Sequence, residues 1–453
     1  MHAETTRKPL VSGEDIERVP AYSWYALGVL TLVYVLNFLD RSLIYILFTP
    51  IKREMALTDL QLALLGSTSF VIFYTLLGIP FGRLADRVNR KRMIAAGLAV
   101  WSLFSGLTGF ADGFWQIFFC RVMVGVGEAT LGPAALSLLS DYFPVRLRAT
   151  VGAIYSSGIA AGGGIAFFLG GWIGGALGWR WAFYLLGFPG LVLCALVLGL
   201  REVQRGRTEL KPDVLPATAT GGNAAAAAAS SSVETNTGGR DWRILFKSVP
   251  LRYHCLGYAM FAAAANSLTM WGALFFTRVH GTDIATFGRA AGTLALFGGV
   301  LGTILGGHFA DRLRRRGRGG RMLFTACGAL AAIPLWFILL FSNTPALLIV
   351  AAFIMYGVAL MWLGPAAADV HDIVGPKLRG LGIGVYFFTV NVIGYGIAPP
   401  IFGKVSDLAG VAADPQRMRY ALLLAPAACL VSALLLIVGS RKLQAEGRRA
   451  QAG

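Results

Sequence analysis

"GRLADRVNRKR", residues 82–92, ends an apolar run with a glycine, an aspartate and a cluster of cations, and the chain repeats it. "GHFADR", 307–312, stands 225 positions later and is again followed by basic residues. A second pair lies at nearly the same offset: "GPAALSLLSDYFPVRLRATVGAIY" (132–155) matches "GPAAADVHDIVGPKLRGLGIGVY" (364–386). Two echoes in register mark an internal duplication, so the chain reads as two related halves.

Working outward from these loops, the runs between them are built for lipid. Of 453 residues, 56% are hydrophobic and 14% charged, against roughly a quarter charged in soluble proteins. A bilayer core of about 30 Å takes about 20 apolar residues in a helix. Runs of that kind fall at 22–50, 60–85, 92–111, 114–140, 148–176, 180–200, 252–279, 286–310, 321–341, 345–370, 378–406 and 417–439. The expectation is an all-α integral membrane protein of twelve spans, six in each half.

The predicted organisation is an N-terminal cytoplasmic segment at 1–21, a first half at 22–200, a flexible cytoplasmic linker at 201–250, a second half at 251–440 and a basic cytoplasmic tail at 441–453. The linker's Ala-, Ser- and Gly-rich middle buries too little apolar surface to order itself. "DWRILF" (241–246) is a candidate surface-lying segment. The first twenty residues lack the apolar core of a removable leader, so the first span is expected to be retained.

A net charge of +17 suggests nucleic acid in a soluble protein. Here the cations gather at 87–92, 145–148, 312–321 and 441–449, all on one side if the spans are even in number and the N-terminus is inside. The positive-inside rule accounts for them, both termini are expected in the cytoplasm, and no nucleic-acid partner is implied. Cys120, Cys194, Cys255, Cys327 and Cys429 lie inside runs at wide separations and read as small apolar fillers. No phosphate-cradling loop or nucleophile elbow joins a strand to a helix, so no ATP-driven pump, enzyme or cofactor is expected.

Ionisable residues within spans are costly, and normally face a cavity or a partner. The first span offers Asn37, Asp40 and Arg41 in "VYVLNFLDRSLIY"; Asn37 and Asp40 share a face, and Arg41 points about 100° away. The fourth offers "CRVMVGVGEATLGP" (120–133), where Arg121 and Glu128 stand seven apart and share a face. Small residues surround Glu128, and the Gly132–Pro133 step loosens the helix beyond it. Desolvation favours the neutral form of a carboxyl, so Glu128 reads as a candidate proton carrier. Arg121 and Arg41 are available to hold its charged form or to receive an anion. The alternative is a static ion pair fixing the first and fourth spans together.

Asn37 of the first span, and in the second half Asn266, Thr269 and Trp271 of the seventh span and Tyr386, Asn391 and Tyr395 of the eleventh, are candidate cavity-lining residues, with Arg278 a candidate headgroup contact. The alternative roles are interface anchoring and interhelical bonding. Asp369, His371 and Asp372 look metal-like on paper, but at a water-facing helix end they read as solvated; no metal is expected.

"GRLADRVNRKR" resembles the loop between helices two and three of the major facilitator superfamily. The resemblance implies a cytoplasmic latch at Gly82, Asp86, Arg87, Arg90, Asp141 and Asp311. Asp86 would accept from the N–H groups opening the eleventh helix, and Arg87 or Arg90 would pair with Asp141. A narrower resemblance, to the spinster group of lysolipid and sphingolipid transporters, rests on "NFLDR" (37–41), "FGRLADRVNRKR" (81–92), "RVMVGVGEAT" (121–130) and "APPIFGKVSD" (398–407).

That resemblance implies proton-coupled transport of lysophospholipids or similar single-chain amphiphiles by alternating access. Asp40 and Glu128 would be the proton-linked carboxyls, and Arg41 and Arg121 their charge partners or the headgroup contacts. The expected setting is a bacterial plasma membrane, and the expected assembly a monomer. Two other functions remain open from the residues: proton-coupled transport of a soluble organic anion such as a sugar acid or aromatic acid, and a non-transporting membrane receptor or scaffold.

Overall fold

The computed structural model describes residues 19–144, 147–205, 245, 247–317, 319–374 and 378–452. Among these residues there is no strand, and 12 helices are long and apolar enough to cross a bilayer. In chain order they are α1 Ala21–Ile46, α2 Asp59–Ala85, α3 Arg90–Phe110, α4 Phe114–Tyr142, α5 Thr150–Ala176, α6 Trp179–Gly199, α7 Val249–Val279, α8 Ile284–Arg316, α9 Gly320–Phe341, α10 Pro345–Val374, α11 Gly380–Leu408 and α12 Pro415–Glu446. All twelve expected spans are present, with ends shifted by a few residues.

Lipid replaces water as solvent, so backbone groups bond within each helix and large apolar side chains such as Trp115, Val192, Phe297 and Ile304 remain on the outer surface. With no strong hydrophobic drive between helices, close approach relies on small residues. The two halves meet along α5 and α8, where a Cβ on Gly292 would stand 2.6 Å from the Gly164 carbonyl oxygen. Within the first half, a Cβ on Gly127 of α4 would come 2.7 Å from the Gly97 carbonyl oxygen of α3.

The duplicated Gly-Pro steps produce matching breaks. The first part of α4 ends at Glu128, followed by a turn before Leu131; α10 breaks at Met361 and Trp362, just before Gly364 and Pro365. Proline lacks the N–H that would continue the ladder. α2 and α11 each contain a π-helical stretch, Leu64–Thr68 and Val390–Ile397.

Two ordered features exceed the sequence expectation. Residues 201–205 begin the expected linker yet pack on the first half: Val203 is buried, Glu202 pairs with Arg90 at 2.8 Å, and Arg205 donates to the carbonyls of Ala85 and Val88. The expected tail at 441–453 continues the last helix, which runs to Ala452. The rest of the linker up to 244, "DWRILF" apart from Leu245, and residues 1–18 lie outside the described residues.

Candidate functional site

α1 and α4 carry the chemistry. Asp40 is fully buried, Asn37, Arg121 and Glu128 are nearly so, and the Arg41 side chain is 20% exposed. Because Arg41 projects away from the Asn37–Asp40 face, it crosses to α4, where its Nε donates to Glu128 Oε2 at 2.6 Å. Its guanidinium is also boxed by aromatic rings, 4.9 Å from Phe38, 4.6 Å from Phe70 and 4.4 Å from Tyr74 by centroid. Such faces attract a cation without neutralising it.

Asp40 turns the other way. Its Oδ1 accepts from Ser105 Oγ of α3 at 2.8 Å, and its main-chain oxygen accepts from Arg121 Nη1 at 3.3 Å. Arg121 and Glu128 share a stripe, yet they are not each other's partner. Arg121 Nε and Nη2, Asp40 Oδ2 and Glu128 Oε1 have no hydrogen-bond partner among the described residues. The site is thus a buried set of two acids and two arginines in which one ion pair is closed and the second arginine has donors to spare.

A second charged group joins the halves on the side away from the basic loops. Asp59, buried at the start of α2, accepts Arg278 Nη1 and Nη2 at 3.0 Å each, and also Ser406 and Lys52. Asp407 of α11 accepts from the backbone N–H of Asp59 and Leu60 at 2.8 and 2.9 Å, a carboxylate on a helix N-terminus. Nearby, the Thr49 and Thr277 hydroxyls lie 2.8 Å apart. At the paired π stretches, Ser67 donates to the Tyr395 carbonyl and Thr68 Oγ1 to the Gly396 carbonyl at 2.8 Å. This face is closed.

On the basic face the expected latch divides. Arg90, with Asn89 capping its helix, pairs with Asp141 and Glu202. Asp86 and Arg87 are exposed, so Asp86 does not hold the start of α11 in this conformation, in which the halves are joined at the other face. Gly82 has open space around it. Asp311 pairs with Arg321 of its own half at 2.8 Å.

The expected lining of the second half is also redistributed. Arg278 is bound to Asp59, which removes it from the headgroup set here, because a buried carboxylate offers a bidentate partner. Trp271 is buried in the seam, its ring 6.2 Å from Phe48. Asn266 is buried with Nδ2 unpartnered among the described residues, and Thr269 is half-buried. Asn391 Nδ2 donates back to the Phe387 carbonyl at 2.9 Å. Tyr395 serves the seam through its carbonyl. Tyr386 is buried against His254 and Tyr258, inside the half rather than on a cavity wall.

Asp369 is not solvated at a helix end as expected: it is fully buried, because α7, α8, α9 and α11 pack around that end of α10. Among the described residues no group of His, Cys, Asp and Glu is arranged to hold a metal, and the five cysteines are free, Cys327 on the outer surface.

Sequence reasoning missed Asp59, Ser105, Phe70 and Tyr74. "TDLQ" (58–61) reads as a helix start, and Thr58 and Gln61 do form a capping box, which hides the inter-half role of the aspartate between them.

A family model described as the Major Facilitator Superfamily matches residues 30–399. The chain is 29% identical over 409 residues to an MFS-type efflux pump of Mycolicibacterium smegmatis, covering 90% of each. It is 27% identical over 373 residues to a probable sphingolipid transporter, spinster homolog 1, of Arabidopsis thaliana, covering 79% of this chain and 74% of that one. Among solved structures it is similar to a bacterial homologue of the human lysosomal transporter Spinster in an inward-facing, occupied conformation, with TM-score 0.77, 25% identity and coverage of 93% and 97%.

Proposed function

We propose, from the premise that this chain belongs to the Major Facilitator Superfamily and is spinster-like, that it is a proton-coupled transporter of lysophospholipids or similar single-chain amphiphiles. The observation that carries the reading is Arg121: buried, with Nε and Nη2 unpartnered among the described residues, beside the closed Arg41–Glu128 pair. A buried cation with unused donors suits an anionic headgroup, since a fork of N–H groups matches phosphate geometry.

The cycle follows from competition for the two arginines. A proton on Glu128 releases Arg41, and the two guanidiniums then hold a phosphate together. Loss of that proton restores the pair and weakens the hold. Asp40, anchored by Ser105, is the second proton-linked acid and competes for Arg121. Rocking of the halves exposes the site alternately, with the Asp59–Arg278 group as the barrier on one face. A bacterial plasma membrane, cytoplasmic chain ends, a monomeric assembly and no nucleic-acid partner complete the reading.

The test is flux of lysophosphatidylethanolamine into proteoliposomes under an imposed pH gradient, for wild type, Asp40→Asn and Glu128→Gln. The expected result is gradient-driven flux in wild type and loss of pH dependence in both variants. Wild-type pH dependence in both variants overturns the coupling assignment. The likeness to an efflux pump favours a second reading, export of an amphiphilic toxic compound through the same site. Flux of such a compound with none of lysolipid selects it.

A further inference from the structure

The second half contains a buried acid that the site above does not use. Asp369 Oδ2 accepts the Tyr258 hydroxyl at 3.3 Å, and that hydroxyl lies 3.2 Å from Thr325 Oγ1. Its Oδ1 has no partner among the described residues. One turn further along α10, Asp372 takes Arg314 Nε and Nη2 at 2.6 and 3.0 Å and Arg321 Nη1 at 3.1 Å. The remaining donors of Arg321, Nε and Nη2, go to Asp311 at 2.9 and 2.8 Å. Arg321 therefore spends all three nitrogens on two other carboxylates, and no described cation makes an ion pair with Asp369.

The duplication sharpens the point. Arg321 and Asp372 repeat Arg90 and Asp141, both 231 positions later, and both pairs form. The stretch of α4 matching Asp369 is Ser137–Leu138, with no acid. Asp369 is thus an addition to the repeated ion pair, held by a donor suited to either of its protonation states.

The titratable and charged groups around it are Tyr258 of α7, whose ring meets His254; Arg314 of α8 and Arg321 of α9, each bonded to Asp372 of α10; Asp311 of α8 beyond Arg321; Tyr386 of α11, whose ring meets Tyr258; and His371, two residues along α10. His254 Nε2 lies 2.9 Å from the Ala366 carbonyl oxygen, which it meets as a donor, so that nitrogen is directed at the main chain of α10. Arg314 and Arg321 lie close but give their donors to Asp372 and Asp311, and a buried carboxylate that no cation contacts is costly to keep ionised.

We propose that Asp369 is a second proton site of the transport cycle, loaded in the conformation described here and discharged when Arg321 leaves Asp311. Asp311 lies five residues before the basic-face end of α8, and its pair with Arg321 of α9 is made within the second half, so the switch requires α8 to shift against α9 at that face as the halves rock. When that contact opens, Arg321 turns its freed donors to Asp369. The proton passes from the carboxyl to water at the basic face, and an Arg321–Asp369 ion pair remains. The inference rests on the proton-coupled reading above and adds a proton carried by the second half.

The experiment reads the protonated-carboxyl C=O stretch by infrared spectroscopy of the full-length protein in lipid, without substrate, across neutral pH. Asp369→Asn is expected to remove one carboxyl's share of the band, and Asp311→Asn, which frees Arg321 while keeping Asp369, to remove the same share at neutral pH. A band unchanged in Asp369→Asn overturns the proposal, and one unchanged in Asp311→Asn overturns the switch. Should Asp369→Asn fail to fold, Tyr258→Phe retains the acid and removes its donor. The Asp369 component is then expected to move to higher frequency, and an unmoved spectrum overturns the proposal. Because no substrate is present, failure here is distinct from failure of the proton-coupled reading, which is decided by flux in the Asp40 and Glu128 variants.

Discussion

Glu128 of α4 lies 2.6 Å from Arg41 of α1, whereas Arg121, two turns earlier on Glu128's own helix, makes no ion pair among the described residues. The strongest attraction in the site therefore runs between helices. Breaking a buried pair by removing one partner costs about 3–5 kcal/mol, because the other charge is left behind. Arg41→Ala is expected to lower the thermal stability of the purified protein, and Arg41→Ala/Glu128→Gln to recover part of the loss. A double variant no more stable than the single would disprove this coupling.

Arg121 is predicted to act through its fork. Arg121→Gln should abolish thermal stabilisation by lysophosphatidylglycerol, and Arg121→Lys should weaken it about tenfold or more in apparent affinity, since an ammonium offers no bidentate face. Equal affinity for wild type and Arg121→Lys would refute a bidentate contact.

The closed face depends on Asp59. Asp59→Asn removes a carboxylate that receives Arg278, Lys52 and Ser406, so the population should move toward the form open on that side. A cysteine replacing Thr277, which bridges to Thr49 in the closed form, should then react with a membrane-impermeant maleimide at least ten times faster. An unchanged rate would show that the barrier lies elsewhere.

Close approach of α5 and α8 predicts a steric effect. Gly292→Leu places carbon atoms where the Gly164 carbonyl now stands, and overpacking of this kind costs about 1–3 kcal/mol. Reduced stability together with slowed flux is expected, whereas Gly307→Leu, with open space around it, should be close to neutral in a melting assay.

Glu54, beyond the end of α1, gives a pH signature outside the membrane. Trp179 Nε1 at 2.6 Å and Arg180 both donate to it and hold its carboxyl below the usual carboxylate range. A carboxyl lowered on folding contributes stability above its unfolded value, lost as pH falls through the folded one. Glu54→Gln should therefore lower the melting temperature at neutral pH and have no effect in strong acid. An effect equal at both pH values would contradict the assignment.

The fold was legible because lipid imposes a length and a composition on every span, and the duplicated loops divide the chain into halves. Asp40, Arg41, Arg121 and Glu128 were legible because burial cost makes any charge in such a run conspicuous. Their pairing was not: helical spacing places Arg121 and Glu128 on one stripe, while the direction of Arg41 across to α4 depends on how α1 packs. Asp59 and Asp369 were hidden for the same reason. Each stands at what looks like a wet helix end, and only the packing of distant spans makes either of them dry.

The π stretches of α2 and α11 carry a consequence for hydration. There, one half supplies only hydroxyl donors, Ser67 and Thr68, and the other supplies only main-chain oxygens, those of Tyr395 and Gly396. Parting the halves lets the hydroxyls turn back onto carbonyls of their own helix, as Ser69 does to Leu65, but it strips the main-chain oxygens of these donors, and hydrocarbon cannot replace them. Water must therefore reach that depth as the crevice widens, so the form open on this side is wetted before any cargo arrives, and an amphiphile's tail must displace or avoid that water to leave.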